Sequence, residues 1–588
     1  MPALPLPAAE RARLLRVALG AAPPDLLLAG GRVVNVYTGE VLAWDVAVAG
    51  ERIAAVGSDL GATAGPGTRV LDVAGKVLVP GFIDGHTHLD NILTVPELLR
   101  VAVPRGLTAF VSEMAQITSA LGLPGARWFV EGLRDQPIHC FATAPVITFL
   151  TTEVVEGAPA IDEGEMAALL EDPHVLGLGE VYWHRLLERP ERLLPLIERA
   201  RALGKSVEGH SAGARGAKLC AFSAAGVGSC HEPITAGEAL ERLRLGLHVL
   251  IRDGSVRQDL EAVAAVKDEE VSLRRATLAS DGIWPVELVE RGYMDAIVQK
   301  AIDLGIPPVT AYQMASLNAA EHYGLDGDLG GIAPGRSADI LAVPDLREVR
   351  PELVVARGRV VAREGRLLVE PRPLPRPPAV SDGLRLGPIS ADTFRLPARG
   401  RTARVRVIRI AGDILTAEDE ATVPVRDGRI EADPGADLLL AAALARRGSG
   451  MRAVVLLRGL GLRAGALAST FSFDTADLVV VGTTPEAMAG AVRHLIALEG
   501  GVVAVDDAGT ALAAVPLPLG GVASPAPVEE LARGLQAIER AARGLGCRVA
   551  RPLLTLITLT FQAIPALRLT PRGLLEVKTQ RFLDLLVS

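Results

Sequence analysis

Cysteines and aromatic rings are scarce in this chain of 588 residues, which has four cysteines and only 3% aromatics. The cysteines, Cys140, Cys220, Cys230 and Cys547, are scattered and form no CxxC. They suggest neither a disulfide framework nor a thiolate zinc site, and they fit a reducing compartment. With so few rings, the cores must be aliphatic. A basic excess is also missing: 61 Lys and Arg against 69 Asp and Glu leave a net charge of −8, the wrong balance for neutralising nucleic-acid phosphates. The longest apolar runs, such as Leu438 to Ala445, fall far short of the roughly 18–20 residues that span a bilayer. The opening MPALPLPAAERARLL lacks the order of a secretory signal and reads as the start of an amphipathic helix. These absences predict a cytoplasmic protein with neither a nucleic-acid nor a membrane partner.

Hydrophobic residues at 49% and charged residues at 22% are ordinary for globular proteins, and the length suits about four domains, or fewer if one is a large barrel. Short Val- and Ile-rich runs with glycine turns, in DLLLAGGRVVNVYTGEVLAWDVAVAGERIAAVG and again near Ala338 to Leu367, read as antiparallel strands. Residues 1–76 and 335–370 are therefore expected to build one composite β-sandwich domain around an insertion. Within that insertion, residues 77–334, eight apolar strand candidates alternate with helix-like stretches: KVLVPGFIDG, GLTAFVSE, CFATAPV, VLGLGEV, SVEGH, GVGSCHE, HVLIRDG and RATLASDG. Their number and length fit a (β/α)8 barrel, with an open doubly wound sheet as the alternative. Almost every one ends in a polar residue, and in a barrel those ends meet at one mouth. The stretch PRPLPRPP marks a stiff linker over 371–384. Residues 385–588, which mix strands and helices, read as a C-terminal α+β domain.

The chemistry concentrates in Pro80-Gly81-Phe82-Ile83-Asp84-Gly85-His86-Thr87-His88. Residues two apart on a strand share a face, so His86 and His88 can reach one metal ion. Further strand candidates close on Glu180, His210, His231 and Asp281. Four imidazoles and two carboxylates are the donors a divalent transition metal takes, and six of them suggest two ions.

PGFIDGHTH, followed by a Glu, two separated His and an Asp at strand ends, resembles the amidohydrolase superfamily, and the chain as a whole resembles its bacterial adenine deaminase branch. The likeness runs on through GEALERLRLGLHVLIRDGSVRQDLEAV, PVTAYQMASLNAAEHYGL and GGIAPGRSADILAV, and through GALAST, DLVVVGTTPEAMAGAV and LPLGGVAS in the last 200 residues. It implies a metal-dependent hydrolytic deaminase of adenine or a related 6-aminopurine, with a (β/α)8 barrel inserted in a small β-sandwich domain. His86, His88 and Asp281 would hold one divalent ion of manganese, iron or zinc. His210 and His231 would hold a second, with Glu180 bridging. Water acidified by two such ions attacks an electron-poor ring carbon such as C6, and ammonia or an amine leaves. Asp281, with a spare oxygen, is then the expected proton shuttle, a role Glu180 could share. The family also implies a homodimer or larger homo-oligomer.

Three places depart from the branch. Where adenine deaminases carry Asp-Pro-His-Glu after the second strand, this chain has Ser112-Glu113-Met114-Ala115. Asp-Asp-x-His at the eighth strand becomes Asp281-Gly282-Ile283-Trp284, and a C-terminal His-Asp-x-His-Asn becomes Phe473-Asp474-Thr475-Ala476-Asp477. The exchange of imidazoles for apolar groups predicts a less polar pocket, suited to an N6-alkylated adenine as much as to adenine. Trp284 is the expected specificity residue. Asp90 and Glu113 are further substrate-binding candidates, although Asp90 fits a helix cap equally well and Glu113 a salt bridge. The rival readings are hydrolysis of another cyclic amide or amidine, against which Glu180 stands where a carboxylated lysine usually bridges, and a non-catalytic scaffold, against which all six ligands stand.

Overall fold

The structure is a computed structural model that describes residues 6–151, 161–381, 383–564 and 566–587. The expected barrel is present. Its strands are Phe82–His88 (β1), Leu107–Glu113 (β2), His139–Ala144 (β3), Val175–Tyr182 (β4), Ser206–His210 (β5), Ser229–Cys230 (β6), His248–Arg252 (β7) and Ala276–Ala279 (β8). β1 to β5 pair in parallel as one sheet and β6 to β8 as another. Two backbone hydrogen bonds link these sheets: Gly228 N–H donates to Val207 O (2.9 Å) beside β5 and β6, and Asp281 N–H donates to His86 O (3.0 Å) beside β8 and β1. Helices lie outside the barrel, so the strands are covered on both faces and read as nearly unbroken apolar runs. Ile83, Val111, Phe141 and Leu176 form one buried cluster with Ala319 and Tyr323, from the region of helix Leu317–His322.

A platform of two sheets supports this barrel. Leu26–Ala29, Asp45–Ala49, Arg52–Gly57 and Arg69–Asp72 form the first, and strands from both sides of the barrel interleave in the second. Leu28, Val33, Val48, Leu78, Ile340 and Val355 share one buried cluster between them. The crossing point differs slightly from the sequence reading. Val77–Pro80, expected in the barrel, pairs with Ile340–Val343 in the platform, and the chain enters the barrel only at Phe82. Gly81 makes that step possible, because a Cβ there would fall on the Thr108 side chain.

The proline-rich segment is docked along the barrel. Trp128 Nε1 donates to Pro375 O (2.8 Å), and Gln136 accepts from the Arg372 N–H (3.0 Å). Beyond it lies a ten-stranded sheet from Leu396 to Pro516, with helices Pro485–Ala497 and Val528–Gly544 packed against it. This C-terminal part closes over the barrel mouth: Ala523–Ser524 pairs in parallel with Ile92–Leu93, immediately after β1. No helix among the described residues is long and apolar enough to cross a membrane.

Candidate metal centre

The six predicted ligands meet at the C-terminal ends of the barrel strands. Alternation along β1 turns His86 and His88 to one side, and Asp84 fastens that strand end to β8. Its Oδ1 accepts the N–H groups of His86 (3.3 Å) and Ser280 (3.1 Å), while its Oδ2 accepts from the Tyr293 hydroxyl (2.7 Å). Ahead of Glu180 the chain needs glycine: a Cβ on Gly179 would strike the Glu113 carboxylate and lie 2.8 Å from Ala144 O. Asp281 follows β8 at φ 52°, a left-handed conformation uncommon outside glycine and a form of strain that gathers at functional sites.

Glu180 is the hub. Its Oε1 lies 3.2 Å from His86 Nε2, 3.4 Å from His88 Nε2 and 3.3 Å from His231 Nε2, and its Oε2 lies 3.6 Å from His210 Nδ1. Asp281 Oδ1 stands 3.3 Å from His86 Nε2 and 3.4 Å from His88 Nε2. His86 Nε2 and His210 Nδ1 are buried without a well-formed hydrogen bond. Buried nitrogen and oxygen lone pairs converging in this way fit a cation between them. Donor atoms of His86, Glu180, His231 and Asp281 lie within 4.8 Å of one another, as do those of His210, His231 and Glu232. The residues therefore fit the metal dependence that the sequence implied.

The surroundings keep both carboxylates charged. Burial alone would raise Glu180, but the imidazoles of His231, His210, His86 and His88 outweigh it and hold the carboxyl well below its usual range. Burial likewise works against Asp281, and the Arg252 guanidinium together with His86 and His88 lowers it. Arg252 Nη1 donates to Asp281 Oδ2 (3.0 Å) and Arg252 Nε to Asp259 (2.7 Å). The spare oxygen that the sequence reading gave Asp281 is thus already engaged. Glu232 faces His210 Nε2 at 2.9 Å and accepts the Ala212 N–H (2.6 Å), an arrangement that turns Nδ1 of that ring towards Glu180.

A cavity of about 440 Å³ opens above these groups. His88, Glu180, His210, His231 and Asp281 line its floor, and the C-terminal domain supplies Ile414, Leu415, Phe473, Asp474, Phe561 and Ile564. Trp284 lies on its wall, in a chain of rings with Phe471 (6.3 Å between centroids), Phe473 (5.5 Å further) and Phe561 (5.4 Å further). Ala115, Trp284 and Phe473, one from each departure noted in the sequence, line the same space. The other two substrate-binding candidates do not line it. Asp90 Oδ2 instead accepts the N–H groups of Gln116 (2.5 Å) and Ile117 (3.0 Å) at the start of helix Ala115–Leu121, so it works as the cap. Glu113 is buried beside Gly179, where burial and the neighbouring Glu180 charge push its carboxyl up to about 7.

Sequence reasoning passed over Arg252 and Phe561. Arg252 ends an apolar strand as the ligands do, so its position was a usable signal. Phe561 carried none, because the rings it faces, Phe473 and His210, are distant from it in the chain.

An eight-stranded parallel barrel whose strand ends gather these donors defines a barrel hydrolase of the metal-dependent kind. A model of the amidohydrolase family matches residues 77–361, and one of the adenine deaminase C-terminal domain matches residues 413–581. The chain is 39% identical to an adenine deaminase of Moorella thermoacetica over 99% of both chains. It is 38% identical to an adenine deaminase of Rubrobacter xylanophilus, over 97% of this chain and 96% of that one. A zinc-bound adenosine deaminase structure from Xanthomonas campestris is 16% identical with a TM-score of 0.45, covering 59% of this chain and 95% of that chain. The chain belongs to the adenine deaminase family of amidohydrolases.

Proposed function

We propose that this protein hydrolyses the exocyclic C–N bond of adenine or a related 6-aminopurine, a C–N bond other than a peptide bond. The observation that carries this reading is the meeting of six donors at one end of the barrel, five of them on the floor of one cavity, in a chain whose relatives are adenine deaminases along their whole length. In this reading His86, His88 and Asp281 would hold one divalent ion and His210 and His231 a second, with Glu180, which faces both sets, contributing to each. Such ions, as manganese, iron or zinc, supply Lewis acidity towards water and the ring nitrogen.

The chain's own groups do the rest. Water adds to C6, forming the C–O bond while the ring nitrogen takes up the electron pair. Asp281 Oδ1 accepts the water proton and returns it to the amino nitrogen as the C–N bond breaks and ammonia leaves. Arg252 holds Asp281 in place through Oδ2, and the C-terminal wall keeps bulk water out. The working division we propose is a reacting barrel over 82–334, a platform from the chain before Phe82 and from 335–370, a linker over 371–384 and a cover from 385 onwards.

The apolar wall favours a second reading, in which the amino group carries an alkyl substituent. The test is ammonia or methylamine release from adenine and from 6-methylaminopurine, by protein stripped with a chelator and then loaded with Mn(II), Fe(II) or Zn(II). Stripping should abolish turnover and reloading restore it. A single methyl group in an apolar pocket shifts kcat/KM by about 10–200-fold, so a preference of that size assigns the substrate. Silence on both bases with metal bound overturns the reading.

A further inference from the structure

Asp474 is a buried carboxyl in the cavity that the metal cluster leaves unused. It belongs to the C-terminal domain and sits at φ 65°, with Ala476 at φ 51°, so left-handed backbone has been kept at two positions of one short segment. That segment is held from several sides. Ser119 Oγ, on barrel helix Ala115–Leu121, donates to Asp474 O (2.7 Å). Phe473 N–H donates to Ile557 O (2.9 Å), and Thr560 Oγ1 donates to Phe473 O (2.8 Å).

The side chain is held equally firmly, but through one oxygen. Asp474 Oδ2 accepts from the Tyr182 hydroxyl (3.1 Å) and from the Gln562 N–H (3.2 Å). No described residue donates to Oδ1. Tyr182 packs against His210 with 4.5 Å between ring centroids, which puts the carboxyl one side chain away from the metal cluster. Burial pushes the carboxyl up to about 7 despite nearby His210 and these donors. Oδ1, on a residue that lines the cavity, is left free to accept from a ligand. Phe473 and Phe561 flank it, and flat apolar faces with one fixed polar atom suit a heteroaromatic ring.

We propose that Asp474 anchors the substrate, its Oδ1 accepting a hydrogen bond from a ring N–H of the purine. This rests on the deaminase reading and adds to it a residue of the C-terminal domain that orients the base over the metal cluster. The anchor explains the strained, cross-braced segment: an in-plane hydrogen bond orients a base only if the acceptor itself cannot move.

The test is steady-state kinetics of metal-loaded wild type, Asp474→Asn and Asp474→Gly on adenine, 7-methyladenine and 9-methyladenine, with metal content and circular dichroism measured alongside. Asn tolerates the left-handed backbone and Gly relieves it, so both variants suit the fold. Losing a hydrogen bond to a charged group corresponds to a rise in KM for adenine of about 10–150-fold, with metal content unchanged. Wild type should reject one of the two methylated bases by a similar factor, and the variants should add no further penalty on that base. Three results overturn the anchor alone: variants that keep the adenine KM, penalties that multiply, or wild type that accepts both methylated bases as readily as adenine. Wild type silent on every base overturns the deaminase reading and the anchor together.

Discussion

The floor and the wall of the cavity are built in opposite ways. On the floor, the donors stand at the ends of five barrel strands, two of them on β1, and a parallel sheet brings strand ends together whatever the intervening loops contain. On the wall, Trp284 of the barrel meets Phe471 of a separate domain, and Phe473 and Phe561 continue the row of rings. The floor is polar, charged and paired, and the wall is apolar and aromatic in a chain with few rings. The contrast separates two demands on a hydrolase: holding the reacting groups, which tolerates little change, and choosing the substrate, which can be retuned one side chain at a time.

The sharpest way to break this comparison is to damage the floor without touching the wall. Glu180→Gln keeps the size of the side chain and removes the charge that faces four imidazoles. Turnover should fall by about 10³-fold or more, in the range of lost acid–base and electrostatic groups. Bound metal, measured by elemental analysis, should fall with it. A variant that keeps its metal and most of its rate would remove Glu180 from the centre of the floor.

Phe473→Ala makes the opposite cut. The ring stands between Phe471 and Phe561, and aromatic pairs of this kind contribute about 0.5–1.5 kcal/mol each beyond their buried area. Loss of that face should raise KM for the preferred base by about 5–20-fold while kcat stays nearly constant, the mark of uniform binding. A fall in kcat as large as that of Glu180→Gln would erase the distinction between floor and wall.

The same distinction decides what could be read before the fold was known. His86, His88, Glu180, His210, His231 and Asp281 were legible because each stands at the end of an apolar run, and strand periodicity is a local signal. The platform was legible from its alternating strands on both flanks, apart from Val77–Pro80, whose apolar run suits either sheet equally well. The wall was only half legible. Its departures from the family could be seen at Ala115, Trp284 and Phe473, but nothing local shows that residues 115, 284 and 473 face one another. The pairing of Arg252 with Asp281 was hidden for the same reason, since an arginine at a strand end looks solvent-exposed until the opposite carboxylate is placed.

Asp90 gives the smallest effect and the finest cut, because it follows the HxH pair by two residues and yet belongs to neither floor nor wall. Its Oδ2 takes two N–H groups at the start of the helix that carries Ala115 and Gln116 into the cavity. Asp90→Ala should therefore cost about 1 kcal/mol of stability, the usual loss for a helix cap, read as a lower urea midpoint with an unchanged m-value. KM should move only slightly, through the displaced helix end. If KM rose as far as in Phe473→Ala while the urea midpoint stayed put, Asp90 would be touching the base, and the wall would extend onto the barrel loop after β1.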